Sequence, residues 1–186
     1  MNVYDFDGTI YDGDSSVDFF LYALKRKPSL LCYILRQAWG FLLYGMKRIS
    51  KTELKEYFFN FLSGMDAEKL AEDFWNQYQH RIYKWYLDQQ QPDDIIISAS
   101  PEFLLTPICR RLGIRYLIAS KVDVRSGKFS GKNCRGSEKV QRLTKEYHIS
   151  QIDNFYTDSH SDLPLAQIAD RAFLVKKGEI SEWDER

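Results

Sequence analysis

The stretch that decides the fold is Asp5-Phe6-Asp7-Gly8-Thr9, which follows a short apolar strand at the start of the chain. Side chains alternate along a strand, so Asp5 and Asp7 point to one side and Phe6 to the other. Open α/β sheets carry their chemistry at the carboxyl ends of strands, where these two carboxylates lie. The carboxylates repel one another, and Gly8 lets the backbone turn sharply enough to leave room for a ligand or a cation between them. Taken alone, the motif is also typical of a capped turn, which Asp and Gly commonly form.

The charge balance and the cysteines limit the classes of function. With 186 residues, the chain is long enough for one full core and a smaller subdomain. Lys plus Arg and Asp plus Glu are equal at 26 each, so no overall field attracts nucleic acid and we expect no nucleic-acid partner. The 3 cysteines are odd in number and widely spread, which is typical of reduced thiols. No secretory signal is seen, and we therefore expect a cytoplasmic location.

A long helical segment separates the first strand from the rest of the predicted sheet. Residues 15–91 show no strand alternation, and Ser50-Lys51-Thr52-Glu53 is a capping box that begins a helix. A glutamine run that ends at Pro92 breaks the helical pattern. We therefore predict a helical subdomain over residues 15–91, inserted into an α/β core made of residues 1–14 and 92–186.

One part of this segment, Leu30 to Met46, is strongly apolar. It is slightly short for a membrane span of about 20 residues, and it carries Arg36 and Gln37 near its middle, so we expect no transmembrane helix. Basic residues flank it on both sides. Ordinary packing within a small helical domain and peripheral contact with a membrane surface are both consistent with this pattern.

After Pro92 the hydrophobic pattern changes to short apolar runs that alternate with helices. Strands are predicted at residues 94–98, 116–120, 154–157 and 172–175. Helices are predicted at 101–112, 137–147 and 163–169, and a hairpin at 122–130. Pro107 should kink the first of these helices or end it early. The alternation predicts an α/β fold with a Rossmann-like parallel sheet and helices on both of its faces.

Polar residues suited to different tasks follow the predicted strands. Ser98 ends the run DIIIS, Asp158 follows the strand at 154–157, and Lys139 lies at the start of a helix. Together with the N-terminal acids they supply carboxylates for a hard cation, a hydroxyl group, and a cation for a phosphate. Each residue alone has an ordinary explanation, such as a solvated lysine or a strand terminus, and the combination is much more specific.

This set of motifs, in this order, resembles the haloacid dehalogenase superfamily of phosphohydrolases. The four motifs are Asp5-Phe6-Asp7-Gly8-Thr9, Ser98 at the end of DIIIS, Lys139 in NCRGSEK, and Asp158-Ser159-His160-Ser161-Asp162. The helical segment after the first motif looks like the cap of phosphoserine phosphatase-like members. The resemblance covers the whole predicted sheet.

The resemblance implies a catalytic role for each acid. Asp5 would attack a phosphomonoester to form an aspartyl-phosphate, and Asp7 would act as general acid and then as general base. Asp5, the backbone carbonyl of Asp7 and Asp158 would hold Mg²⁺, and Asp162 would support the site from behind. An alkoxide leaving group needs a proton whereas a halide does not, so the second acid, Asp7, favours phosphate transfer over dehalogenation.

The resemblance also implies how the phosphate is held. Thr9, Ser98 and the backbone amide of Ala99 would cradle the phosphoryl oxygens, and Lys139 would neutralise their charge.

The substrate is less well defined by the sequence. Asp14 lies seven residues after Asp7, where phosphoserine phosphatases resemble one another in having a Glu that faces the substrate amine. The shorter acid does not favour phosphoserine. Arginines in the insert are candidate ligands for a substrate carboxylate, and each is also explained as a surface residue: Arg26, Arg36, Arg48 and Arg81.

We expect a small soluble phosphomonoester as the substrate. A lipid phosphate, as in phosphatidylglycerophosphatase-like relatives, is the alternative, because the insert is apolar and flanked by basic residues. A phosphotransferase using the same aspartyl-phosphate and a non-catalytic binding module are further alternatives. The sequence does not predict an oligomeric state.

Overall fold

The computed structural model describes residues 1–184, which contain one six-stranded sheet. In chain order the strands are β1 (Asn2–Tyr4), β2 (Ile95–Pro101), β3 (Tyr116–Ser120), β4 (Ile152–Thr157), β5 (Ala169–Lys176) and β6 (Glu179–Glu182). Their spatial order is β3-β2-β1-β4-β5-β6, and all neighbours are parallel except β5 and β6. The predicted α/β class is confirmed.

The sheet is mixed rather than wholly parallel, because β6 returns antiparallel to β5. The sequence analysis missed β6, whose four residues are all exposed and therefore lack the buried apolar run that predicted the other strands. The strand predicted at 172–175 is also longer, since Ala169 already pairs with Ile152 of β4. The helix predicted at 163–169 is correspondingly short and ends at Ala166.

Eight α-helices lie within the described residues. They are α1 (Ser15–Arg26), α2 (Ile34–Gly45), α3 (Lys51–Phe59), α4 (Ala67–Tyr78), α5 (Lys84–Gln89), α6 (Glu102–Arg111), α7 (Ser137–Tyr147) and α8 (Leu163–Ala166). Short 3-10 turns lie at Pro28–Tyr33, Asn60–Leu62, Gln79–Arg81 and His160–Asp162. None of these helices is both long and apolar enough to cross a membrane.

Two local predictions about helices have different outcomes. The capping box at the start of α3 is confirmed: the Glu53 amide donates to the Ser50 hydroxyl, and the Ser50 amide donates to the Glu53 carboxylate. The prediction that Pro107 could end its helix early is wrong, because α6 continues to Arg111. Leu104 and Ile108, on either side of the proline, are fully buried, and this packing holds the helix together.

Helices cover both faces of the sheet, as predicted. On one face Val3 and Ile95 pack with Leu143 of α7. On the other face Tyr4 and Ile96 pack with residues of α4, α5 and α6. Because successive side chains of a strand point to opposite faces, the sheet has a core on each face. The same alternation decides on which face the residue after each strand lies.

An aromatic ladder crosses three neighbouring strands. The rings of Tyr4 and Tyr156 stack with centroids 4.8 Å apart, and those of Tyr156 and Phe173 stack at 4.7 Å. A slip of one residue between β1 and β4 would separate these rings and move Asp5 away from Asp158. The ladder therefore stabilises the register on which the site depends.

The helices between β1 and β2, which form the predicted insert, contact the rest of the chain near Tyr11. Tyr11 forms a β-bridge with Ile82, and the Tyr83 amide donates a hydrogen bond to the Ile10 carbonyl at 2.8 Å. The predicted hairpin at 122–130 is reduced to one bridge, between Val122 and Phe129, and the Phe129 amide donates to Glu56 of α3 at 2.9 Å. The insert is therefore attached to the core at its base and at α3.

Candidate active site

The carboxyl ends of β1, β2 and β4 meet at one cavity of about 340 Å³. The proposed catalytic, metal and phosphate residues that line it are Asp5, Asp7, Ser98, Ala99, Lys139, Asp158 and Asp162. Asp14 lies at the same cavity. The chain thus brings together almost every residue that the sequence analysis proposed for the site.

Thr9 is the exception. It is fully buried and is not among the residues that line the cavity. Its Oγ1 has no hydrogen-bond partner among residues 1–184. Its contact with a phosphate stays a prediction, and it needs a local movement that brings the hydroxyl to the cavity.

Lys139 forms the buried electrostatic centre of the site. Its Nζ lies 3.1 Å from Asp5 Oδ1 and 2.6 Å from Asp162 Oδ2, and only 1 % of its side chain is exposed. Burial alone would lower the pKa of Lys139, but the two carboxylates outweigh burial and raise the pKa above its ordinary value. The Thr157 hydroxyl donates to the same oxygen of Asp162 at 3.1 Å. The lysine is therefore charged and fixed in place.

Asp5 keeps one oxygen free toward the cavity. Its Oδ1 accepts the Phe6 amide at 2.8 Å, and its Oδ2 accepts no hydrogen bond from residues 1–184. Burial raises the pKa of Asp5 to about 7 although Lys139 opposes this, and the carboxylates of Asp162 and Asp158 add to the rise. Asp5 can thus act as a nucleophile when a cation or another positive group favours its ionised form.

Asp7 is held by two donors, one at the start of α1 and one in β2. Its Oδ1 accepts the Ser15 amide at 2.7 Å, and its Oδ2 accepts the Ser100 hydroxyl. Burial and then the Asp14 carboxylate raise the pKa of Asp7 to about 6, although both hydrogen bonds oppose the rise. A carboxyl group with a pKa near neutrality can both give and accept a proton, which is what general acid–base catalysis needs.

Ser98 and Ala99 form the floor of the cavity at the end of β2. Ser98 is 1 % exposed, and its Oγ accepts the Ser100 amide at 3.1 Å. Its hydroxyl proton is donated to no group within residues 1–184, so it is free for a ligand. This orientation fits the role of an oxyanion donor.

The sequence analysis missed Lys55, a residue of α3 in the helical insert. Its Nζ donates to the Ala99 carbonyl at 2.7 Å and contacts Asn133 Oδ1 at 3.4 Å. Burial lowers the pKa of Lys55, while Asp7, Asp14 and Asp5 oppose this. Lys55 therefore brings a cation from the insert to the cavity, which the sequence analysis had sought among arginines.

A local signal for Lys55 exists in the sequence. The capping box fixes the start of α3, and Lys51 and Lys55 then lie on one face of the helix, four residues apart. Both line the cavity together with Leu54 and Phe58. By contrast Arg81, one of the arginine candidates, pairs with Asp18 at 2.5 Å and does not line the cavity.

Asp14 caps α1 and also faces the site. Its Oδ1 accepts the amides of Ser16 and Val17 at 3.0 Å each. These bonds use one of its two oxygens and leave the other for a substrate. Its role in specificity stays a prediction.

The donor set fits a hard cation such as Mg²⁺. Among residues 1–184, no group of three or more His, Cys, Asp or Glu side chains is arranged to hold a metal. The expected set needs fewer side chains, because it combines the carboxylates of Asp5 and Asp158 with the Asp7 carbonyl. The carboxylates of Asp5 and Asp162 share the ammonium of Lys139, and the buried Oδ1 of Asp162 has no hydrogen-bond partner among residues 1–184. A cation would balance this excess of negative charge.

Gly8 allows Asp158 to approach the first motif. Its φ is +69°, and a Cβ there would lie 2.3 Å from Asp158 Oδ2. Any side chain at position 8 would therefore displace the carboxylate.

Comparison with known proteins defines the family. The family model for haloacid dehalogenase-like hydrolases matches residues 3–167. This chain therefore belongs to the haloacid dehalogenase-like hydrolases, and the predictions of this family and of an enzyme are confirmed.

Individual proteins extend the comparison. A probable phosphatase of Mycobacterium tuberculosis is 25 % identical over 194 residues, which cover 92 % of this chain and 67 % of that protein. The fold is similar to a protein of unknown function from Bordetella pertussis, with a TM-score of 0.74, 20 % identity, and coverage of 92 % and 87 %. It is also similar to a phosphoserine phosphohydrolase-like protein from Francisella tularensis, with a TM-score of 0.62, 15 % identity, and coverage of 96 % and 89 %.

Proposed function

We propose that this protein is a Mg²⁺-dependent phosphomonoester hydrolase that acts through an aspartyl-phosphate at Asp5. The observation that carries the proposal is the pairing of Asp5, which has a free oxygen at the cavity, with the buried ammonium of Lys139. A phosphate that enters the cavity would meet a nucleophile and a fixed positive charge together. Family membership and the probable phosphatase among the relatives support the same reaction class.

In the first step a carboxylate oxygen of Asp5 attacks phosphorus, and the bond to the leaving alcohol oxygen breaks. Asp7 gives its proton to that oxygen, for which a pKa of about 6 is suitable. In the second step Asp7 takes a proton from water, whose oxygen attacks phosphorus and releases Asp5. The hydrogen bonds from Ser15 and Ser100 keep Asp7 in one orientation through both steps.

The remaining residues bind the negatively charged phosphoryl group. Lys139 and the hydroxyl of Ser98 face its oxygens, and the Ala99 amide is a further donor at the same loop. Lys55 of α3 adds a second cation to the cavity, next to the Ala99 carbonyl. When bound by Asp5, the Asp7 carbonyl and Asp158, Mg²⁺ would screen the repulsion between the nucleophile and the phosphate. Asp162 fixes Lys139 through its hydrogen bond to Nζ.

We propose a small phosphorylated metabolite as the substrate and the cytoplasm as its compartment. A volume of about 340 Å³ suits a small molecule, and Asp14, Lys51 and Arg135 give the cavity polar groups of both charges. A lipid phosphate is the second candidate, because two apolar residues at the rim, Val17 and Phe41, are exposed.

Phosphate release from a panel of phosphomonoesters, with Mg²⁺ and with EDTA, tests the proposal. The panel contains sugar phosphates, nucleotides, phosphoserine, an aryl phosphate and phosphatidylglycerophosphate in mixed micelles. We expect metal-dependent release that Asp5→Asn abolishes and that the surface control Asp88→Asn leaves unchanged. Full activity of Asp5→Asn would contradict the mechanism, transfer of phosphate to an added alcohol would indicate a phosphotransferase, and no release from any compound would favour a binding module.

A further inference from the structure

Helix α2 has its polar side inward and its apolar side outward. The two buried residues of this helix are Gln37 and Gly40. In contrast, large apolar side chains of the helix and its C-cap are exposed, with fractions of 81 % for Leu35, 54 % for Trp39, 52 % for Leu42 and 51 % for Met46. We call these four residues the apolar stripe. Such an arrangement is the reverse of what a helix packed only against its own protein needs.

The packing of α2 on α3 determines this orientation. The Gln37 side chain donates to the Phe58 carbonyl at 3.0 Å. A Cβ on Gly40 would lie 2.6 Å from the Cβ of Tyr57, so the two helices meet at the glycine. Members of the apolar stripe follow one another at spacings of four, three and four residues, which places them on a single face. That face therefore points away from α3.

The charges in the segment that contains the stripe are all positive. Residues 25–52 contain no Asp or Glu, and their basic residues are Lys25, Arg26, Lys27, Arg36, Lys47, Arg48 and Lys51. The whole chain has 26 residues of each sign, so the rest of the molecule is net acidic. Lys25 and Lys27 before the stripe, and Lys47 and Arg48 after it, form no ion pair within residues 1–184. These four cations are free for an anionic partner.

The same helix also reaches the rim of the active-site cavity. Phe41, next to Leu42 of the stripe, is 57 % exposed and lines the cavity, as does Val17 of α1 at 44 %. Helix α2 therefore carries one exposed apolar residue at the cavity in addition to the stripe, whose members do not line it.

We infer that the apolar stripe and its basic flanks bind the surface of an anionic phospholipid bilayer. Leu35, Trp39 and Leu42 would enter the boundary between headgroups and acyl chains, and the flanking cations would contact lipid phosphates. A second copy of this chain fits less well, because a symmetric contact would bring two strongly basic surfaces together. This interaction does not depend on the chemistry proposed above, and it gives the enzyme a defined orientation on the bilayer.

Vesicle binding by the full chain carrying Asp5→Asn tests the inference without any turnover. The probes are sucrose-loaded vesicles of phosphatidylcholine alone and of phosphatidylcholine with phosphatidylglycerol, each at low and high salt. We expect binding to the anionic vesicles only, with a partition coefficient that falls as salt rises. Trp39 is the most exposed of the 4 tryptophans, so a blue shift of emission on binding that Trp39→Phe abolishes would place this residue at the lipid.

Two double variants separate the contributions. Leu35→Ser with Trp39→Ser should lower the partition coefficient on the order of 100-fold. Lys47→Gln with Arg48→Gln should lower it about 20-fold. The matched control is Ile180→Ser, an exposed apolar residue on β6, which should change nothing. All these side chains are exposed, so circular dichroism should show unchanged folding.

Three results would overturn the inference. The first is no binding to anionic vesicles by the folded protein, and the second is binding that the double variants leave intact. The third is a dimer in solution that Leu35→Ser with Trp39→Ser dissociates while vesicle binding stays absent, since the stripe would then be a contact between copies. None of these results bears on phosphate release, which is measured separately in detergent-free solution with the aryl phosphate.

Discussion

Replacing Lys139 by methionine removes the ammonium that pairs with two buried carboxylates. Lys139 is 1 % exposed and its side chain bridges Asp5 and Asp162, at 3.1 Å and 2.6 Å. Methionine fills a similar volume, so the main loss is charge rather than packing. Breaking a buried ion pair from one side costs about 3 to 5 kcal/mol, because a charge is left unpaired in a poorly solvated place. Asp5 opens on the cavity and can be hydrated, so we expect about 3 kcal/mol.

Urea unfolding followed by circular dichroism measures this cost. For a chain of this size, about 3 kcal/mol corresponds to a fall of about 10 °C in the melting temperature. Lys132→Met, at a side chain that is 76 % exposed, is the control and should change stability by less than about 0.5 kcal/mol. The double variant Lys139→Met with Asp162→Asn should recover part of the loss, because it removes one of the two unpaired charges.

Two results would refute this reasoning. One is a folded Lys139→Met protein whose free energy of unfolding lies within about 1 kcal/mol of the unmodified protein. The other is a double variant that loses the sum of the two single losses, which would show that Lys139 and Asp162 act independently. Either result would mean that the charges are solvated well enough to need no partner.

Three further predictions concern the acids and Lys55. Asp7→Asn should strongly slow the hydrolysis of alkyl phosphates and only slightly slow that of an activated aryl phosphate, because a phenolate leaves without a proton. Equal loss of activity on both substrates in steady-state assays would argue against Asp7 as the general acid. The raised pKa values of Asp5 and Asp7, about 7 and about 6 against 3.8 for an ordinary Asp, mean that the folded state binds these protons more tightly. The free energy of unfolding, measured in EDTA, should therefore fall as the pH rises through these two pKa values. Asp7→Asn should make this fall less steep by about 1 kcal/mol per pH unit, and an unchanged slope would contradict the raised pKa of Asp7. Lys55→Met should raise KM more than it lowers kcat, since the Lys55 ammonium contacts the Ala99 carbonyl rather than Asp5. Lys69 lies outside the cavity, so Lys69→Met is the matched control in the same kinetic assay.

The acids of the site could be predicted from the sequence because their placement follows from local rules. Strand alternation decides where Asp5 and Asp7 point, and the parallel arrangement brings Asp158 to the same edge of the sheet. The same rules predicted strands with a buried apolar run. They failed for β6, whose pairing with β5 depends on a turn and on backbone hydrogen bonds rather than on burial.

Contacts between distant parts of the chain could not be predicted in this way. Lys55 lies 44 positions from Ala99, whose carbonyl it contacts, and Ser100 lies 93 positions from Asp7. Neither pairing leaves a periodic signal in the sequence, because each depends on how the helical insert and the strands are arranged in space. The direction of the apolar side of α2 is a further example, since it is fixed by contact of Gly40 with Tyr57.

The central position of β1 has a consequence for how the chain folds. This strand is the first to be synthesised, yet its neighbours β2 and β4 begin only at Ile95 and Ile152. During translation, β1 and the catalytic Asp5 proposed here therefore gain a first partner strand only after about half of the chain has been made and a second only after most of it, while the helices between β1 and β2 can form from local contacts alone. Truncation from the carboxyl-terminal side before β4 would thus leave the first strand without one of its two neighbours and the site without Asp158.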